Sequence, residues 1–199
     1  MNSEALRETQ AFFAARAAGW EERFPDDEPR YEQAIAEMGL APGDSVLDTG
    51  CGTGRALPFL RAAAGESARI VALDVTLEML AQVRRLGRAD LALLVQADGE
   101  RPPFRDASFD AIFAAGYMPH LSEPEGGLRE LARLTKPGGR LAIFHPIGRA
   151  TLAARHGGTP SDDDILAPAR LRQLLPAAGW QLGTIDDGPD RYLALARRA

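Results

Sequence analysis

Five stretches, "SVLDTG" (45–50), "RIVALDV" (69–75), "LALLVQAD" (91–98), "FDAIFAAG" (109–116) and "RLAIFHP" (140–146), are nearly continuous in apolar residues. Runs of this length rich in Val, Ile, Leu and Phe predict strands covered on both faces. Between them the apolar positions recur at helical spacing, predicting helices near 54–63, 76–85 and 123–135. Pro137-Gly138-Gly139 is expected to end the third of these helices and turn the chain into the fifth strand. Strand and helix in alternation define repeated βα units, hence a parallel sheet between helical layers.

The last quarter reads differently. Residues 145–168 are loop-rich, with Asp162 to Asp164 expected to form a solvated bend. A helix is predicted from about Ala167 to Ala178. "WQLGTIDDG" and "RYLALARRA" follow, joined by Gly188-Pro189-Asp190, a hairpin signal that brings an antiparallel strand to the sheet. The predicted fold is therefore α/β, a doubly wound, seven-stranded, mostly parallel sheet with an antiparallel C-terminal strand, in three αβα layers. Two amphipathic helices, "MNSEALRETQAFFAARAAGW" and "PRYEQAIAEMGL", precede the first strand. They divide a single domain of residues 1–199 into a helical lid or cap (1–40) and an α/β core (41–199).

Composition narrows the partners. With 199 residues, 45% hydrophobic and 26% charged, the chain has an ordinary globular balance and is short for two domains. No apolar run approaches the roughly 20 residues that span a bilayer. The N-terminus carries early acids instead of the basic-then-apolar layout of a signal peptide. A cytoplasmic protein without a membrane partner is expected. Cys51 is the only cysteine, so no internal disulfide can form. Net charge is −5 and the cations are scattered, which argues against nucleic acid, whose phosphates ask for a basic patch.

The glycines of "SVLDTGCGTGRALPFL" carry the candidate chemistry. In the dinucleotide fingerprint the third glycine falls three residues after the second; from Gly50 and Gly52 that position is Arg55. The spacing is instead G-x-G-x-G ending at Gly54, preceded by Asp48. No Gly-Lys-Ser/Thr follows, so it is not a phosphate-cradling P-loop either.

"VLDTGCGTG" resembles motif I of the class I S-adenosylmethionine-dependent methyltransferases, whose fold is Rossmann-like. Three further features follow in that family's order. Asp74 ends the second strand, 20 residues beyond Gly54, where a carboxylate accepts ribose hydroxyls. "QADGERPPFRDASFD" resembles the stretch in which an acid, here Asp98, meets the adenine amine and Gly99 offers its N–H to the ring. Pro102 stands there in place of a more usual aliphatic residue. "RELARLTKPGGRLAIFHP" resembles the fourth helix, its turn and the fifth strand. The resemblance covers roughly Val46 to Pro146. It implies S-adenosylmethionine as cofactor, with S-adenosylhomocysteine as product and no metal, held by Asp48, Gly50, Cys51, Gly52, Gly54, Asp74, Val75, Asp98, Gly99 and Ala115. Residue by residue, blander readings stay open: Asp74 as a helix cap, Asp98 as a turn acid, Cys51 as a small packed side chain.

Ligands in open α/β sheets bind beyond the carboxyl ends of the strands, so acceptor-facing residues should follow strands four and five. Tyr117, His120 and His145 lie there, with Tyr31 offered from the N-terminal helices. His120 and His145 are the candidate general bases for methylating a hydroxyl or amine; positioning is the alternative role for each. The Asn/Asp-Pro-Pro-aromatic motif of enzymes that methylate amide or nucleobase nitrogens is missing after strand four, which favours a small-molecule acceptor. His156 is expected to face solvent. Trp20, Phe24 and Tyr31 either close over the site or anchor the N-terminal helices, with Pro25 to Pro29 as an acidic hinge. Two other functions compete with methyl transfer: a non-catalytic cofactor-binding or partner subunit, and a nicotinamide oxidoreductase.

Overall fold

The computed structural model describes residues 3–23, 26–155 and 157–199. Phe24, Pro25 and His156, each given a role above, lie outside the described residues. Helices α1 (Ser3–Ala14) and α2 (Glu28–Met38) precede β1 (Ser45–Thr49). Then come α3 (Leu57–Ala64), β2 (Arg69–Asp74), α4 (Leu77–Arg85), β3 (Leu93–Gln96), β4 (Phe109–Ala115), α5 (Pro124–Leu134) and β5 (Thr135–His145). The chain closes with α6 (Arg149–Arg155), α7 (Pro168–Ala177), β6 (Trp180–Asp187) and β7 (Tyr192–Arg198).

The strands form one sheet in the order β3-β2-β1-β4-β5-β7-β6. β7 runs antiparallel to both its neighbours, while the pairs β1–β2, β1–β4, β2–β3 and β4–β5 are parallel. The predicted seven-stranded doubly wound sheet is thus the observed one. Two-sided burial explains the continuous apolar runs. Along β4, Ala111 and Phe113 pack with α2, α3 and α4, whereas Ile112 and Ala114 pack with α5 and α7. Successive side chains of a strand face opposite ways, so a strand between two helical layers needs apolar residues at every position.

Four local expectations are corrected. β3 is a sheet edge, and Leu93 is 63% exposed, so this strand is not covered on both faces. Pro137-Gly138-Gly139 does not separate helix from strand. α5 ends at Leu134, where the Thr135 hydroxyl donates to the Leu131 carbonyl (2.8 Å), and β5 begins at once by pairing Thr135 with Phe109. Residues 136–139 then bulge opposite Asp110 before Arg140 pairs with Ala111; Lys136 closes the bulge on the Asp110 carboxylate at 2.9 Å. The loop-rich stretch contains α6. Nor is Asp164 simply solvated: with Asp187 it holds the buried Arg149, at 3.2 and 2.9 Å.

β1 leads to β2 on one side and β4 lies on the other, which makes the gap beyond Thr49 and Ala115 the topological switch point. Ligand crevices of open α/β sheets form there.

Candidate active site

The glycine turn leaves β1 with Gly50, Gly52 and Gly54 all at positive φ, +66°, +54° and +76°, a conformation that penalises a Cβ. The three serve different ends. A Cβ on Gly54 would lie 2.8 Å from Leu57, so this glycine lets α3 pack; one on Gly50 would lie 3.0 Å from the Tyr117 ring; one on Gly52 would point into open space. α3 begins only at Leu57, two residues after Arg55, so the loop is longer than the sequence suggested.

A single cavity over the switch point is lined by Asp48, Gly50, Cys51, Gly52, Asp74 and Val75, with Asp98, Gly99, Ala115 and Tyr117 completing that end. Gly54 is the one proposed cofactor residue that does not line it. Asp48, at the end of β1, is 1% exposed, and its Oδ2 has no hydrogen-bond partner among the described residues. Burial, reinforced by the neighbouring Asp74 charge, pushes its carboxyl up to about 8. Asp74 accepts from the Gly52 N–H at 2.8 Å and from the Thr76 N–H at 2.8 Å. It therefore shapes the glycine loop and the start of α4 while lining the cavity. Burial raises its pKa even though those N–H groups pull the other way. Asp98 likewise braces its own turn, accepting from the Glu100 N–H at 2.9 Å. Cys51 is buried, and burial beside Asp48 and Asp74 pushes its thiol well up, away from nucleophilic use.

At the far end the same cavity is lined by Asp27, Tyr31, Arg55, His120, His145 and Pro146. His145 Nδ1 lies 2.8 Å from the Ile147 carbonyl and 3.1 Å from its N–H. The shorter contact fits Nδ1–H donating to the carbonyl, which leaves Nε2 with its lone pair. Burial lowers the pKa of His145, as it does that of His120. His120 keeps an exposed edge and packs edge-on against Phe13, with ring centroids 5.0 Å apart. Tyr31 stacks edge-on against Phe144 at 4.8 Å, and burial raises its hydroxyl pKa. Tyr117, expected among the acceptor-facing residues, lines the cavity and lies against Gly50 and Gly99: a Cβ on Gly99 would stand 2.6 Å from its Oη. That hydroxyl is buried beside the Thr49 side chain.

The N-terminal segment roofs the cavity. Thr9, Phe13 and Trp20 line it, and Gln10 donates to the Val75 carbonyl at 3.0 Å. Trp20 lines the cavity and packs on Phe13 at 5.6 Å. Glu21 fastens this roof to the glycine loop: its carboxylate accepts from the Thr53 hydroxyl, Arg55 Nε (3.3 Å) and Arg88 Nη2 (3.1 Å). Burial works to raise its pKa, but the Arg88 and Thr53 bonds with the two guanidinium charges outweigh that and hold it low. Asp27, assigned to a hinge from sequence, is buried and ion-paired to Arg30 (3.1 Å). Sequence reasoning missed two acids here: Asp27, which lines the cavity, and Glu21, which ties this segment to Thr53, Arg55 and Arg88. Their one local signal, a carboxylate pair flanking an aromatic-and-proline bend, is shared with ordinary surface loops.

A methyltransferase-domain family model matches residues 47–143. The chain is 30% identical to a solved SAM-dependent methyltransferase from Aquifex aeolicus, with 85% of this chain and 89% of that one covered and a TM-score of 0.70. It belongs to the class I S-adenosylmethionine-dependent methyltransferase family. Among its relatives are a demethylmenaquinone methyltransferase of Corynebacterium urealyticum, 43% identical over 106 residues, and one of Mycobacterium sp. (strain JLS), 39% identical over 167. The matches cover 53% and 82% of this chain, and the chain spans 43% and 63% of those two proteins. Among the described residues no helix is long and apolar enough to cross a membrane.

Proposed function

We propose that the protein transfers a methyl group from S-adenosylmethionine to an oxygen or nitrogen of a small-molecule acceptor. One observation carries this reading: a single cavity joins the Asp48–Asp74–Asp98 end to the His145–Tyr31 end. The residues present fit the family's cofactor, because the buried, unpartnered Asp48 Oδ2 calls for a cationic donor. The relatives named for demethylmenaquinone support a small-molecule acceptor.

When bound, the cofactor supplies an electrophilic methyl on a sulfonium, already a good leaving group. The chain's own work is alignment, exclusion of water and proton handling. Asp48 balances the cofactor's ammonium side, Asp74 takes the ribose hydroxyls, and Asp98 with the Gly99 N–H reads the adenine. Gly50 and Gly52 let backbone approach the ligand, with Cys51, Gly54, Val75 and Ala115 shaping the remaining wall. His145 Nε2 takes the proton of the acceptor's hydroxyl or amine, and His120 positions the acceptor from the cavity mouth. Tyr117, lying on the glycines, belongs with the cofactor end.

Calorimetry with S-adenosylhomocysteine should show binding where NADH shows none. Asp74→Ala should weaken that binding about 10- to 100-fold, the worth of a hydrogen bond to a charged group. Binding without product formation across a metabolite panel would favour the non-catalytic reading, and an unaffected Asp74 variant would remove the cofactor assignment.

Residues 1–40 act as a cap over residues 41–199. Because Glu21 ties the cap to Thr53, Arg55 and Arg88, Glu21→Ala should speed nucleoside release about three- to tenfold. Stopped-flow displacement measures this. A variant that loses thermal stability with an unchanged release rate would mark the segment as purely structural.

A further inference from the structure

Asp27 occupies the N-cap position of α2, where an aspartate ordinarily accepts from the N–H groups of the first turn. Here its side chain makes no capping bond. The preceding residue, Asp26, has φ +66°, a left-handed conformation uncommon for a residue with a Cβ. Strain of this kind persists where the surrounding structure holds it, and it gathers at functional sites. The Asp27 carboxylate, 4% exposed, lines the acceptor end of the cavity. It is braced from behind by Arg30 (3.1 Å) and by Arg55, whose Nη1 stands 3.5 Å from Oδ2. Burial raises its pKa, against the pull of the two guanidinium charges.

Two further observations describe what this carboxylate meets. The cavity wall is aromatic: Phe13, Trp20, Tyr31, Tyr117, His120 and His145 all contribute rings. Flat walls of this kind suit a planar ligand, with a few polar groups fixing its orientation. The lining is also strongly acidic. Asp27, Asp48, Asp74, Asp98 and Glu100 face it, against Arg55 as the one permanently charged cation of the wall among the described residues. Arg55 in turn is engaged by Glu21 and Asp27. Of the lining acids Asp27 is the one placed at the acceptor end, and an anionic ligand there would stand beside its carboxylate in a desolvated setting, which is unfavourable.

We propose that Asp27 is the specificity-determining residue of the acceptor site, and that the acceptor is an uncharged or cationic aromatic compound with a hydroxyl or amine, separate from the group that is methylated, donating to its carboxylate. This rests on the methyltransferase reading above and deepens it.

The test is calorimetric binding to protein saturated with S-adenosylhomocysteine, using matched probes. Catechol is compared with 3,4-dihydroxybenzoate, and tyramine with 4-hydroxyphenylacetate. The wild-type protein should bind the uncharged or cationic member of each pair at least about tenfold more tightly. Asp27→Asn should erase most of that preference with S-adenosylhomocysteine affinity retained, and Asp27→Glu, which keeps the charge, should restore it. Carboxylates that bind as well as their partners overturn the proposal. So does a preference that survives in Asp27→Asn, or the absence of binding by all four probes. The wild-type comparison needs no variant, so a misfolded Asp27→Asn does not shield the idea. If S-adenosylhomocysteine itself fails to bind, the cofactor reading falls first and takes this one with it.

Discussion

Replacing His145 by glutamine is expected to lower kcat by about 10²–10⁴-fold while S-adenosylhomocysteine affinity stays little changed. The Ile147 backbone holds Nδ1, which orients the ring and leaves Nε2 as the nitrogen available to the acceptor. Burial lowers the imidazole pKa, so the ring is neutral and able to take a proton at pH 7. The sign follows: a base works only unprotonated, so the wild-type rate should fall as pH drops through a pKa below the usual histidine value. Glutamine keeps hydrogen bonding but takes no proton, so the rate should not recover and the acidic limb should vanish. His120→Gln should behave differently, because that ring has an exposed edge and rests on Phe13. Much of its activity and the shape of its pH profile should remain. Near-normal rates across pH in His145→Gln would exclude it as the base and point to an acceptor that arrives deprotonated.

Asp48 should make cofactor affinity pH-dependent, and Asp48→Asn should abolish that dependence. In the free protein the carboxyl is pushed up to about 8 by burial and by Asp74. A cationic group beside it stabilises the ionised form, so its pKa drops on binding and a proton is released. Affinity for S-adenosylhomocysteine should therefore rise with pH toward about 8, at a slope approaching tenfold per pH unit. Calorimetry in two buffers of different ionisation enthalpy would show close to one proton leaving. The asparagine variant should bind more weakly and with a flat profile; a flat wild-type profile would sink the assignment. The same shift carries a stability consequence. Because the folded pKa is raised, Asp48 contributes stability that is complete below its unfolded value near 4 and is lost as pH rises through about 8. Unliganded Asp48→Asn should thus melt at a higher temperature than wild type at pH 9, with the gap narrowing as pH falls and closing only near pH 4. Such an outcome would mark Asp48 as a residue kept for binding at the expense of stability.

The legible part of this protein lies where neighbours in sequence are neighbours in space. Apolar runs with a period of two or of 3.6 residues locate the strands and helices, because burial on one or both faces imposes those periods locally. The glycine turn after β1 and the acids after β2 and β3 could be read because each closes its own strand, and parallel order then aligns the strand ends. That order also placed His145 beside β4. Asp74 shows how far such reading goes: the turn role was visible in the sequence and is seen in its contacts with Thr76 and Gly52, while its carboxylate also lines the cavity.

The remainder was decided by contacts between distant segments, which leave no period behind. Glu21 meets Thr53, Arg55 and Arg88, and Asp27 meets Arg55, only after α1 and α2 fold across the end of β1. Nothing local separates these acids from the exposed Glu22 or Asp26 beside them. Tyr117 lies against Gly50 and Gly99, 49 residues apart in the chain, which leave room for its ring between them. The strand β3 became an edge because, among the described residues, no further strand pairs beyond it. The sequence alone determined the sheet, its order of βα units and the acids at the strand ends, since these follow from local pattern and chain direction. Which side chains roof the cavity, which ring lies on which glycine and which carboxylate turns inward were settled by tertiary packing, where long-range contact and desolvation, not spacing, choose the partner.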